Sequence, residues 1–462
     1  MSALTRPQCV NPSSGPSNQG DRKPNGLTRS GRSSGRFVLV LAIGFVICLA
    51  RPIHPSQRFS LFGEDGPIFA TQARAKGIPR SFVTTYAGYY HLIPRSVAAL
   101  ATVFPLRLTP MIFSVGACGV AALAAALSWR CGQGMGLGNI GSAILAGNVL
   151  LLAEAGPEVV DTLTYVEWYC AAAAAIFVAA WISGYRPSLI VVVPLILVAG
   201  GTTPLLVTLL PFAIVTYVLR GRGRYDLTVL LAILGATVIQ LVGRLSSTSN
   251  STASVRPGQL VDLFLVRVVD GGLAGSRLLE SFYARSGPKG AAITAAVVIT
   301  LMIAAGLHRL DQLRRLVFLF LLTEAVVLTA FSAVLRPSVY VLANIGFSSD
   351  ASSTVASTGG RYFAGPAVCV VAALLLCLSE LGENGRLYYS GIRQAVAASL
   401  AVILLFNVPI DIARVPIGIW QAEVRQEQMQ CHRTNGRSGV VVQNAPGGVP
   451  WMISLTCAQA FG

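Results

Sequence analysis

Apolar runs long enough to cross a bilayer recur along nearly the whole chain, and that recurrence limits the fold more than any single residue. A helix needs roughly 20 apolar residues to cross about 30 Å of hydrocarbon. Runs approaching that length fall near 37–50, 109–129, 138–153, 168–183, 188–201, 204–219, 226–243, 289–307, 316–335, 364–380 and 394–411. Lipid offers no partner to free backbone groups, so such runs fold as helices or as strands of a closed barrel. These runs are continuous and do not alternate with period two, which excludes the barrel. Charged residues make up only 12% of the chain and the mean hydropathy is +0.65, against about 25% charged residues in soluble domains. The expectation is an all-α polytopic membrane protein with about 11 transmembrane helices. The runs at 188–201 and 204–219 read either as two spans joined by a tight outer turn or as one interrupted pair.

Residues 1–36 are rich in Ser, Gly, Pro and Arg with almost nothing to bury, the composition of a disordered tail. Their basic character places the N-terminus in the cytoplasm. The run that follows lacks a small-residue cleavage site and reads as a signal anchor rather than a cleaved peptide. Residues 37–411 then form a multi-span membrane domain, with 51–108 as a long first outer loop. Residues 412–462 form a small extracytoplasmic segment. This is a multi-pass arrangement in the plasma (inner) membrane, with the C-terminus outside. The outer segments hold more Lys and Arg than the inner ones, a departure that long loops are allowed. The formal charge is +16, with the basic residues scattered between apolar runs. That distribution excludes nucleic acid as a partner and favours membrane lipids or phosphorylated lipid substrates. Two outer segments, 91–106 and 258–284, mix apolar residues with spaced charges as interfacial helices do.

The first outer loop contains FGEDGPIFATQARAKGIPRSFVTTYAGYYHLIPR, residues 62–95. It is polar, basic and aromatic, and it carries the adjacent acids Glu64 and Asp65. The chain has nine cysteines. Most lie in apolar runs and read as small core residues. Cys431 and Cys457 bracket the polar C-terminal segment and form the one pair able to close a loop there, in an oxidising location. Such a closure contributes on the order of 3 kcal/mol. Trp420 and Trp451 pack on the membrane face or within that segment. NST at 250–252 matches a glycosylation acceptor, a weak three-residue signal. No Cys/His spacing suggests a metal site.

A basic tail, a signal anchor, a first outer loop with an acidic pair, many spans and a polar outer C-terminus together resemble the GT-C superfamily of polyprenyl-phosphate-dependent membrane glycosyltransferases. FGEDGPIF and YAGYYHLIPR are similar to segments of poorly characterised bacterial, chiefly actinobacterial, membrane proteins of that plan. GGRYFAGP (359–366) resembles the Arg-Tyr-x-x-x-Pro element that opens a late helix in such enzymes. The resemblance implies a GT-C-like fold and an acid in the first outer loop acting as catalytic base or metal ligand. Here that role falls on Asp65 or Glu64, with a divalent metal compatible but not required. It further implies a polyprenyl-phosphate sugar donor, and a glycan or lipid acceptor in the cell envelope.

Glycosyl transfer from a lipid phosphate needs a base for the acceptor hydroxyl and cations for the leaving phosphate. Asp65 is the first candidate base. Arg95 and Arg361 are candidates for the phosphate, with Tyr362 beside it, and Tyr89 and Tyr90 for stacking on sugar. His91 is a candidate for proton transfer. Arg74, Lys76 and Arg80 read as phosphate ligands or as solvated cations. In EAGPEVVDTLTYVEWY (154–169), four loosely spaced acids read as a solvated loop, as part of the acceptor site or as holders of a cation. Glu324 is an acid inside an apolar run, a functional candidate or half of an ion pair. A transporter or flippase for a lipid-linked sugar, and a glycan polymerase or ligase, are the competing functions.

Overall fold

A computed structural model describes residues 29–245, 256–335, 360–380, 387–410, 416–436, 438–443 and 452–461. The tail before residue 29, the NST match and Trp451 lie outside these residues. The described chain is almost entirely helical. In order come α1 (Arg29–Ala50), α2 (Thr71–Lys76), α3 (Ile78–Val83), α4 (Leu92–Thr102), α5 (Thr109–Gly134), α6 (Gly138–Leu151) and α7 (Val166–Ile182). Next are α8 (Leu189–Gly200), α9 (Leu210–Leu219), α10 (Arg224–Leu245), α11 (Pro257–Leu263), α12 (Gly271–Arg309) and α13 (Gln312–Leu335). The chain ends with α14 (Arg361–Glu380), α15 (Leu387–Phe406), α16 (Ile417–Arg433), strands β1 (Gly439–Gln443) and β2 (Met452–Thr456), and the short α17 (Cys457–Phe461). The helix α1 begins inside the segment read from sequence as tail.

Among the described residues, six helices are long and apolar enough to cross a membrane: Leu106–Gly134, Gly138–Gly156, Arg224–Leu245, Lys289–Arg309, Gln312–Val334 and Arg361–Glu380. The other five apolar runs also form helices, but shorter ones: Ser34–Ala50, Val166–Ile182, Leu189–Gly200, Pro204–Leu219 and Ser390–Phe406. At 1.5 Å per residue, α8 reaches only about 18 Å. The turn after α8 packs on the first long loop. Gly201 O accepts from Leu92 N at 2.8 Å, and Thr202 Oγ1 accepts from Ile93 N at 3.2 Å. The 188–219 region is therefore two helices with a tight turn on the face that carries residues 51–108. Gly200 allows this approach, because a Cβ there would stand 2.2 Å from Ala236 Cβ on α10.

Charged groups gather at the two ends of the bundle. At the end away from the first loop, Arg186 pairs with Asp226 at 2.7 Å, Trp181 Nε1 donates to the same carboxylate at 2.7 Å, and Arg314 pairs with Glu380. The opposite end carries the long loops. There α12 bends at Gly275 (φ 71) and Gly287 (φ 69), so its first third leaves the axis of the rest. Of the six long apolar helices, α14 is the most enclosed, packing on α7, α12 and α13. Its first residues reach the loop end.

The first loop and the C-terminal segment share a second hydrophobic core, joining Leu61, Phe69, Ala73, Phe113, Trp420 and Ile453. β1 and β2 pair antiparallel and bury alternate residues, Val440 and Val442 against Ile453 and Leu455, as the two-residue period of a strand requires. Cys431 and Cys457 are bridged, with their Cα atoms 5.7 Å apart, which ties α16 to the start of α17. A short parallel bridge between Pro52 and Ile410 fastens the exit of α1 to the exit of α15.

Candidate functional site

The acidic pair sits in a tight turn that Gly63 makes by taking φ 55. The turn points the two carboxylates in different directions. Asp65 is fully buried and clamps the second loop. It accepts from Leu163 N at 3.2 Å, Thr164 N at 2.8 Å and Thr164 Oγ1 at 2.7 Å. Glu64 is half-buried and accepts from two tyrosines, Tyr86 at 3.1 Å and Tyr165 at 3.2 Å.

Tyr165 links this acid to the late helix. The Arg361 guanidinium lies over its ring at 4.3 Å from the centroid, and over the ring of Tyr362 at 4.9 Å. A cation over an aromatic face is attracted by the ring quadrupole. Glu64 at the hydroxyl edge and Arg361 on the face are therefore separated by one tyrosine ring. Tyr362 meets Trp168 edge to face at 5.3 Å.

These last two rings open onto a cavity of about 270 Å³ that is mostly apolar. Tyr89, Trp168, Tyr362 and Phe331 supply aromatic surface, and Glu167, Gln240 and Arg244 supply the polar groups. The hairpin at one wall is made by Tyr86 and Tyr89, whose backbones exchange hydrogen bonds of 3.0 and 3.2 Å. Its two central residues, Ala87 (φ 57) and Gly88 (φ 90), take the positive φ that a two-residue hairpin needs. Gln240 pins the hairpin to α10. Its Oε1 accepts from Tyr90 N at 3.0 Å and its Nε2 donates to Tyr90 O at 3.2 Å. The Tyr90 ring rests on Gly243, where a Cβ would stand 3.0 Å away. Tyr90 thus braces the wall, while Tyr89 lines it.

The structure does not bring Arg95 to this cavity. Arg95 is buried in the second core, over Phe69 at 5.3 Å and bonded to Gln72 Oε1 at 2.9 Å. Burial lowers its pKa to about 10. His91 stands between the two places, tilted against Tyr89 at 4.3 Å and edge to face with Phe69 at 5.2 Å. Its Nε2 lies 3.3 Å from Tyr86 O. Arg74 caps the end of α4 through Ala101 O at 3.0 Å and Phe104 O at 2.8 Å, while Lys76 and Arg80 are exposed.

The acids of the second loop are divided among different partners. Glu154 pairs with Arg267 at 2.5 Å, both groups buried. Asp161 accepts from Cys118 Sγ at 3.1 Å, and Glu167 faces the cavity. No three His, Cys, Asp or Glu side chains gather as a metal site among the described residues. Glu324 is bonded to Thr208 Oγ1 at 2.6 Å and has no ion pair with an arginine among the described residues.

Sequence reasoning missed Tyr165, Trp168, Gln240 and Arg267. The first two lie in the quoted stretch 154–169, where only the acids were weighed. Gln240 was legible as the one amide in an apolar helix, and Arg267 as the cation inside LVRVVD. A scan against models of known protein families finds no match for this chain, and a search of curated proteins finds none.

Proposed function

We propose that the protein is an integral membrane glycosyltransferase that moves a sugar from a polyprenyl-phosphate donor to an envelope glycan or glycolipid. The observation that carries this reading is the joining of Glu64, Tyr165 and Arg361, the last of which also lies over Tyr362, a ring that lines the aromatic cavity. In this mechanism Glu64, rather than Asp65, takes the proton of the acceptor hydroxyl. Its carboxylate is half-open and, among the described residues, answers to tyrosine hydroxyls alone, whereas Asp65 holds three donors of the second loop. The acceptor oxygen bonds to the anomeric carbon as the bond from that carbon to the phosphate oxygen breaks. The phosphate keeps the electron pair, and the planar fork of Arg361 is suited to hold it. Tyr89, Trp168 and Tyr362 offer ring faces for the sugar, and the apolar wall formed by Leu205, Val207 and Leu241 suits the first isoprenoid units. The loop end of the bundle is then the outer face of the plasma membrane.

The test is a Glu64→Gln protein at matched membrane abundance, with envelope glycans and lipid-linked sugars profiled by mass spectrometry. Loss of one sugar and accumulation of its lipid-linked donor is the expected result. An unchanged profile, where a deletion strain shows a changed one, removes Glu64 from the reaction.

A carrier for lipid-linked sugars is the second reading, and Glu324 favours it. This acid is buried inside α13, and its Oε2 has no hydrogen-bond partner among the described residues. Acids within membrane helices commonly mark ion or proton paths. A carrier would lose function with Glu324→Gln and keep it with Glu64→Gln; the transferase predicts the reverse.

A further inference from the structure

A second, larger opening lies on the side of the bundle, away from the residues joined at Glu64. It has a volume of about 560 Å³ and is a slot between α5 and α8 with α7 as its floor, and Ser34, Phe37 and Val38 of α1 also line it. Its origin is in the sequence. Residues 171–175 of α7 are all alanine, so this stretch of the floor has no large side chains with which to fill the space. α5 and α8 both pack on α7 but scarcely on each other. The walls are apolar, with Leu123, Leu127, Phe177 and Leu195 facing inward. Val191 at the rim is 52% exposed, so the slot opens sideways to whatever surrounds the bundle.

The slot has one polar end. Arg130 is the single charged residue of its lining, and it has no hydrogen-bond or ion-pair partner among the described residues. Beside it stands Tyr185, held flat on α5 because Gly134 has no side chain; a Cβ there would lie 2.6 Å from the ring. Ser188 opens α8 at the same end. Along α5 the slot runs from Val120 to Arg130, a rise of about 15 Å. That is half of the ~30 Å hydrocarbon thickness, the depth of one leaflet.

We propose that this slot binds one acyl chain of an anionic membrane phospholipid, with the headgroup phosphate on Arg130. An apolar channel one leaflet deep fits a lipid chain. A lone cation at its polar end, with no acid in the lining, selects a negative headgroup over a zwitterionic one. None of the residues assigned to transfer takes part, so the site stands whether or not the protein is a transferase.

The test uses the full chain, extracted in mild detergent and offered phosphatidylglycerol and phosphatidylcholine of equal chain length, with retained lipid counted by native mass spectrometry. The expected result is one phosphatidylglycerol retained about fivefold over phosphatidylcholine, the preference that one arginine supplies at an anionic surface. Arg130→Gln brings that ratio to about one, and Arg130→Lys restores most of it. Ala174→Phe, which fills the slot, loses both lipids. Equal retention of the two lipids by the unaltered chain overturns the proposal without need of any variant. So does a preference that survives Arg130→Gln, or a bound lipid that survives Ala174→Phe.

Discussion

The two ends of the helical bundle use ion pairs differently. At the loop end, Glu154 and Arg267 are both buried, and they join the second loop to the segment before α12. At the other end, Asp226 is buried but its partner Arg186 is 45% exposed, and Trp181 shares the carboxylate. A buried pair with no water to replace a lost partner is costly to break, although forming it need not have stabilised the fold. A half-exposed pair is worth little. The loop end therefore holds its charges in a fixed arrangement around the cavity, whereas the other end anchors helices to an aqueous boundary.

The largest effect that would test this contrast is Arg267→Met. It leaves Glu154 buried and unpaired, and should cost about 3–5 kcal/mol of stability in detergent unfolding. The double change with Glu154→Gln should recover much of that. Asp65→Asn comes next, at about 1.5–3 kcal/mol, because the second loop loses a charged acceptor for Leu163 and Thr164. Its activity should fall in step with its stability, whereas Glu64→Gln should keep its stability and lose activity; parallel behaviour of the two would erase the distinction between clamp and base. Arg186→Gln should cost less than Arg267→Met, since Arg186 is itself half-exposed and Trp181 continues to hold Asp226. A cost equal to that of Arg267→Met would break the comparison of the two ends.

A separate test is a pH dependence. Burial raises the Asp270 pKa to about 7, against about 3.9 for an unfolded aspartate. The folded state therefore keeps a proton that the unfolded state has lost. This contribution is fully present below about pH 4 and declines as pH rises to about 7. Unfolding of Asp270→Asn, followed over the same range, should lack that decline.

Much of the helical architecture was legible because apolar run length is a strong signal. All eleven runs became helices, and six reach the length of a crossing. The shortness of α8 was not legible, since it depends on Gly200 meeting Ala236 and on a turn held by Leu92 and Ile93, all distant in sequence. The site was legible in part. Residue type and position singled out Glu64, Tyr89, Arg361 and Tyr362, but not the ring of Tyr165 that joins two of them. Nor could the order of the acids be read, because the Gly63 turn decides which one faces inward. Arg95 was drawn into the site by its aromatic neighbours, and Phe69 is what takes it out.

The mismatch between α8 and α10 has a consequence for the bilayer itself. Beyond the level of Gly200 and Gln240, the last turn and a half of α10 continues for about 8 Å. On one side of that stretch Leu241, Val242 and Leu245 are bare. On the other, Gly243 carries the Tyr90 hairpin. Bare apolar side chains and a polar loop thus stand at the same level on opposite sides of one helix. Any hydrocarbon that covers the bare face of α10 therefore stands level with the Tyr90 hairpin on its other face.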